Sequence, residues 1–264
     1  MTDLPTVKLP VPDVTVGAYR TVFCRLGSVL ELGWLPLLIL LGVSVVPAAL
    51  PADFGAHSPA LRALPDFLDL IAGAFCLNAF GVRWYQVQLF GTAGAAGRPW
   101  LGPWSRFLLY TFVLYATIGV LVAGVLLLAA AIGDRGVAVA GIMALDLVVA
   151  AVLLLVMARL SLLYPAAAAS RPISPGGAWR ATSGNGWRIV LCWLFATAPL
   201  LLGVQIVMGA VFAGFRIGGG SNVVPMGLFI LRGLVGTVAD FLIAALGAVV
   251  LSNVYRRLVQ AAAS

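Results

Sequence analysis

Residues 107–132, FLLYTFVLYATIGVLVAGVLLLAAAI, and residues 137–163, VAVAGIMALDLVVAAVLLLVMARLSLL, flank the short segment Gly133-Asp134-Arg135-Gly136. The first run carries no charge, and the second carries only Asp146 and Arg159. A helix rises 1.5 Å per residue, so about 20 apolar residues cross a hydrocarbon core of about 30 Å, and each run is long enough to do so. A connection this short makes the two helices antiparallel neighbours.

Outward from this hairpin the same pattern recurs. Residues 32–50, LGWLPLLILLGVSVVPAAL, form a first span, and a second begins at Phe67, where FLDLIAGAFCLNAFGV contains Asp69 and Asn78 and ends at Arg83. Residues 189–213 and 226–252 supply a fifth and a sixth, separated by FRIGGGSNVVP. The predicted fold is all-α: a polytopic membrane protein of six transmembrane helices, with an amphipathic helix before the first span and a short surface helix between the fourth and fifth. One membrane domain covers 15–258, with polar tails at 1–14 and 259–264.

Composition agrees. Hydrophobic residues make up 62% of the chain, charged residues 9%, and mean hydropathy is +1.08, far from the roughly 25% charged residues usual in soluble domains. The net charge of +7 is carried by 15 arginines and Lys8, spread singly between apolar runs. That spacing suits topology and argues against nucleic-acid binding. The first residues, MTDLPTVKLPVPDVTVG, lack the apolar core of a signal peptide.

Counting Lys and Arg in alternate flanks gives twelve on one side (Lys8, Arg20, Arg25, Arg83, Arg98, Arg106, Arg159, Arg171, Arg180, Arg188, Arg256 and Arg257) and three on the other (Arg62, Arg135 and Arg216). Positive residues stay in the cytoplasm, which predicts both termini there, in the inner membrane of a bacterial-type cell. Six of the seven tryptophans (Trp34, Trp84, Trp100, Trp104, Trp179 and Trp187) fall at the same boundary, where amphipathic rings are favoured.

Before the first span, Tyr19, Val22, Phe23, Leu26, Val29 and Leu30 recur at helical spacing, with Arg20, Thr21, Arg25 and Ser28 opposite. This pattern predicts a helix lying on the membrane, its arginines meeting anionic headgroups; packing on the protein itself is the alternative. In the 171–188 loop, Ser174 suits an N-cap, Pro175 a first helical position and Gly184 a stop, which predicts a surface helix over 175–183 anchored by Trp179 and Trp187. Arg180 and Arg188 would face lipid phosphates or a partner's carboxylates. Arg83 and Arg159 each precede a Pro- and Trp-containing segment and a Trp-x-Arg or Trp-Arg start of the next span (Trp104 with Arg106, Trp187 with Arg188), a pattern that fits either repeated two-helix units of parallel orientation or positive-inside bias alone.

The stretch 158–190, ARLSLLYPAAAASRPISPGGAWRATSGNGWRIV, resembles a signature of the membrane domain of glycerophosphodiester phosphodiesterases and of stand-alone relatives of unknown function. Arg159, Ser161, Pro165, Ala178-Trp179, Gly184-Asn185 and Trp187 carry the likeness. In the fused members the chemistry resides in a separate soluble barrel, so the resemblance implies a membrane module and transfers no catalytic residue.

Asp146, nine residues into the fourth span, and Asp240, fourteen into the sixth, lie near the midplane, where a charge costs at least about 2.5–3.5 kcal/mol on insertion scales. Arg232 lies about 12 Å from Asp240 along the helix axis, so Asp146 is its expected partner if the fourth and sixth spans touch. Asn78 and Gln205 would join such interhelical contacts. Cys24, Cys76, Cys192 and His57 lack metal-ligand spacing, no catalytic motif is present, and no cofactor is implied. The expected function is that of a non-catalytic membrane protein supporting membrane organisation, complex assembly or lipid homeostasis. Its expected partners are anionic lipids and a membrane protein. The alternative is a proton-coupled transporter of small molecules or lipids using Asp146 and Asp240.

Overall fold

The computed structural model describes residues 8–49, 58–132, 136–217 and 226–260. Among them there is no strand. Helix α1 (Val11–Cys24) leads through Arg25 into α2 (Leu26–Ala49), followed by α3 (Pro59–Ala96), α4 (Leu101–Ile132) and α5 (Gly136–Leu160). Two short helices, α6 (Leu163–Ala168) and α7 (Pro175–Ala181), precede α8 (Gly186–Ile217) and α9 (Met226–Tyr255), which closes in a π-helical turn, Arg256–Gln260. Six of these helices, α2, α3, α4, α5, α8 and α9, carry windows long and apolar enough to cross a membrane. His57, Asp53, the Gly133–Arg135 turn and most of the FRIGGGSNVVP segment lie outside the described residues.

Helix α9 is the hub. It packs against α1, α2, α3, α6 and α8, while α5 packs against α4, α7 and α8. Ala245, Leu246, Ala248, Val249 and Val250 are all buried, so this part of α9 is enclosed on every side. In lipid the apolar effect between helices is absent, and association rests on close van der Waals packing and polar contacts. Small residues permit that approach: a Cβ on Gly33 would stand 3.0 Å from the Phe241 ring, and one on Gly247 would stand 3.4 Å from Trp193 Nε1.

Four expectations are corrected here. The predicted amphipathic face is split by a bend at Arg25, whose N–H bonds Val22 O at 3.1 Å; Leu26, Val29 and Leu30 therefore belong to α2. Helix α1 buries Val14, Ala18 and Val22 against α8 and α9 and leaves Val16, Arg20 and Phe23 exposed. The polar tail is also shorter than expected, because Leu9 is fully buried. Finally, the helix that carries the second span does not stop at Arg83. Helix α3 continues to Ala96 with one break at Gly91, at φ 75° and ψ 171°, a conformation open to glycine alone at low cost. Trp84, placed by sequence at the lipid boundary, is fully buried instead, and its Nε1 donates to Ala245 O at 3.1 Å. Gln86, which resembles a loop residue by polarity, is also fully buried and donates to Pro99 O.

Candidate functional site

The arginine-rich end of the bundle is assembled from four separated segments. Helix α6 ends with Ser170 in the left-handed region at φ 56°, while Arg171 N–H reaches back to Ala166 O at 3.0 Å. Such a backbone closes a helix by satisfying its last carbonyls. Pro165 and the alanines around it are buried, so the turn is seated in the core. Ser174 then caps α7, accepting from Gly177 N–H at 3.1 Å, and Gly184 takes φ 75° to turn the chain into α8. The predicted 175–183 helix is thus present, two residues shorter at its end.

Asn185 follows that turn and is buried. Its Oδ1 accepts from Leu9 N–H at 3.1 Å, and Arg188 Nη1 donates to Leu9 O at 2.9 Å. Both polar groups of one N-terminal residue are therefore satisfied from the start of α8. Tyr19 of α1 adds a hydrogen bond to Ala196 O at 2.8 Å, and burial pushes its phenol pKa up. The N-terminal segment is tied to α8 at two levels.

Gly186 brings α5 against α8. A Cβ there would lie 2.8 Å from Leu155 Cδ1 and 3.2 Å from Arg159 Nε, so a larger residue would require these side chains to shift. Arg159 in turn lies over the indole of Trp179, 4.4 Å from the ring centroid. At the corresponding end of α3, Arg83 lies over Trp100 at 5.7 Å. Trp179 and Trp187 are exposed, as are Arg20, Arg25 and Arg180, the last of which donates to Gly176 O at 3.4 Å.

Inside the spans the polar groups gather differently from expectation. Thr111 donates to Asn78 Oδ1 at 3.0 Å and stands 3.3 Å from the Tyr164 hydroxyl, linking α3, α4 and α6. Ser44 donates to Asp69 Oδ1 at 3.1 Å, and its oxygen lies 3.5 Å from Thr237 Oγ1. Asp240, one turn beyond Thr237, is within electrostatic range of Asp69. Asp69, Ser44 and Thr237 lie outside the expected set of site residues, although a carboxylate inside a span is itself a signal. Arg232 is exposed, and the Asp146 side chain lies outside the described residues. Among the described residues, α5 and α9 do not pack along their lengths, so the contact on which an Arg232–Asp146 pair depends is not one of the bundle's helix interfaces.

Comparison with protein-family models, with curated proteins and with solved structures found no match to this chain.

Proposed function

We propose that the chain is a non-catalytic integral membrane protein of the inner membrane of a bacterial-type cell, with both termini in the cytoplasm. Its arginine-rich end organises membrane lipid or holds a membrane-protein partner. The observation that carries this reading is the locked corner. Residues 9, 159, 179, 185, 186 and 188 come from four segments and meet through specific contacts, and the face they build presents Trp179 at 40% and Trp187 at 55% exposure. Ordering backbone and side chains costs on the order of 1–2 kcal/mol per residue. A surface held this tightly, with two large aromatic rings left outward, suits contact with something beyond the chain. The resemblance of 158–190 to the phosphodiesterase membrane domain points the same way.

The test is purification of the full chain from its own membrane in mild detergent, with composition read by native mass spectrometry. Co-purification of one protein at fixed stoichiometry, lost in a Trp179→Ala/Trp187→Ala double variant, supports the reading. Proton or lipid flux across vesicles containing the purified chain alone overturns it. The grouping of Asp69, Ser44, Thr237 and Asp240 favours a second reading, a proton-coupled transporter in which Asp240 works with Asp69 rather than with Asp146.

A further inference from the structure

Arg83 and Arg159 share a place in the fold. Arg83 stands 24 residues beyond the start of α3 at Pro59, and Arg159 stands 23 beyond the start of α5 at Gly136. These separations are about 36 and about 35 Å along the helix. Counted from the first residue of each helix, both guanidinium groups lie near one hydrocarbon thickness of about 30 Å along the axis, a depth that fits headgroups where each helix begins at the far boundary. Each rests on a tryptophan from the segment that follows its own helix, Trp100 for Arg83 and Trp179 for Arg159.

Neither arginine has a nearby acid in sequence, because residues 70–133 and 147–239 contain no Asp or Glu. At this end of the chain the acidic residues are Asp3, Asp13 and Glu31, against twelve basic ones. Arg159 Nε is enclosed with no hydrogen-bond partner, beside Gly186. Among the described residues the terminal N–H groups of its half-buried guanidinium meet no hydrogen-bond acceptor, which leaves them to an external one. An aromatic face orients a guanidinium without using its donors, and a planar fork fits two oxygens of a phosphate.

We propose that the Arg83–Trp100 and Arg159–Trp179 pairs are two equivalent seats for the phosphodiester of an anionic glycerophospholipid. The excess of positive charge selects an anionic lipid over a zwitterionic one, and the depth selects a headgroup over a free ion. The inference rests on the proposed seating of this end at a membrane surface. It does not require a protein partner, so it stands or falls separately from the partner assignment.

The experiment counts lipids retained by the full chain in native mass spectra after exchange into mixed micelles of phosphatidylglycerol and phosphatidylcholine. Two phosphatidylglycerol molecules are expected on the wild type, one on Arg83→Gln, one on Arg159→Gln and none on the double variant. Arg256→Gln removes the same charge from an exposed arginine outside either pair and should retain both. Arg159→Lys, which keeps the charge and lacks the planar fork, guards against loss by misfolding; at an unchanged melting temperature it should hold lipid at least tenfold more weakly. Retention of both lipids by the double variant overturns the proposal. So does equal loss in Arg256→Gln, which marks diffuse attraction, or displacement by excess inorganic phosphate, which marks a free-ion site.

Discussion

The backbone N–H of Leu9 donates to the side-chain oxygen of Asn185, 176 positions later in the chain, and Arg188 returns a bond to the Leu9 carbonyl. Asn185, just before α8, and Arg188 within it thus hold the entry of the N-terminal segment, and Leu9 itself is fully buried. Truncating Asn185 leaves a buried N–H without its acceptor, which costs about 1–3 kcal/mol. Asn185→Ala should lower the melting temperature and open the peptide bonds near Lys8 to limited proteolysis. Unchanged protection of that segment would remove Asn185 from this role.

Gly186 tests the α5–α8 contact by the opposite change. Adding a methyl there places carbon 2.8 Å from Leu155 Cδ1 and 3.2 Å from Arg159 Nε, and overpacking of this kind costs about 1–3 kcal/mol. Gly186→Ala should destabilise the protein and weaken the stacking of Arg159 on Trp179, read as a change in tryptophan emission. Gly203→Ala, in the same helix with nothing within 4 Å of the added carbon, should be neutral. Equal melting temperatures for both variants would show that α5 can yield at this point.

Trp84 and Trp34 separate burial from boundary placement. Trp84 is fully buried and donates to Ala245 O, whereas Trp34 is 57% exposed. Trp84→Phe loses one hydrogen bond and leaves part of the indole volume empty, for a combined cost of about 1–3 kcal/mol. Trp34→Phe should leave stability within about 0.5 kcal/mol. Reversible unfolding in micelles reads the difference, and equal effects would contradict the buried position of Trp84.

The six spans were legible because hydropathy over about 20 residues is a property of composition, insensitive to what packs where. The α7 helix was legible for a local reason, since Ser174 and Pro175 act within one turn of themselves. Distant pairings were not. Trp84 and Trp34 have the same chemistry and lie near the same boundary, and their helices α3 and α2 both pack on α9; the face of its helix that each ring occupies decides that Trp84 is enclosed and Trp34 is not. Leu9 meets Asn185 through tertiary packing that no local spacing encodes. Hydropathy likewise ends the second span at Arg83, where the apolar run meets a charge, whereas contacts with α9 and with Pro99 carry the helix onward.

The same limit explains the polar groups at mid-depth. Sequence position alone places Asp146 and Arg232 as partners, yet Asp240 is accompanied by Asp69, which Ser44 tethers at 3.1 Å. Carboxylates within spans are expensive unless they face polar partners, and Ser44 and Thr237 stand beside this pair. If the group is structural, Asp240→Asn keeps a polar side chain of the same shape without its charge, so the melting temperature should hold or rise by a few degrees. Asp69→Asn should behave similarly, since the amide oxygen can still accept from Ser44. Ser44→Ala should cost about 1 kcal/mol through the lost hydroxyl bond. If the pair instead relays a proton, Asp240→Asn should abolish acidification of vesicles containing the chain while leaving the melting temperature unchanged. Measuring both quantities on Asp240→Asn separates the two: unchanged flux with retained stability leaves interhelical contact as the role of the pair, and lost flux with retained stability assigns it to transport.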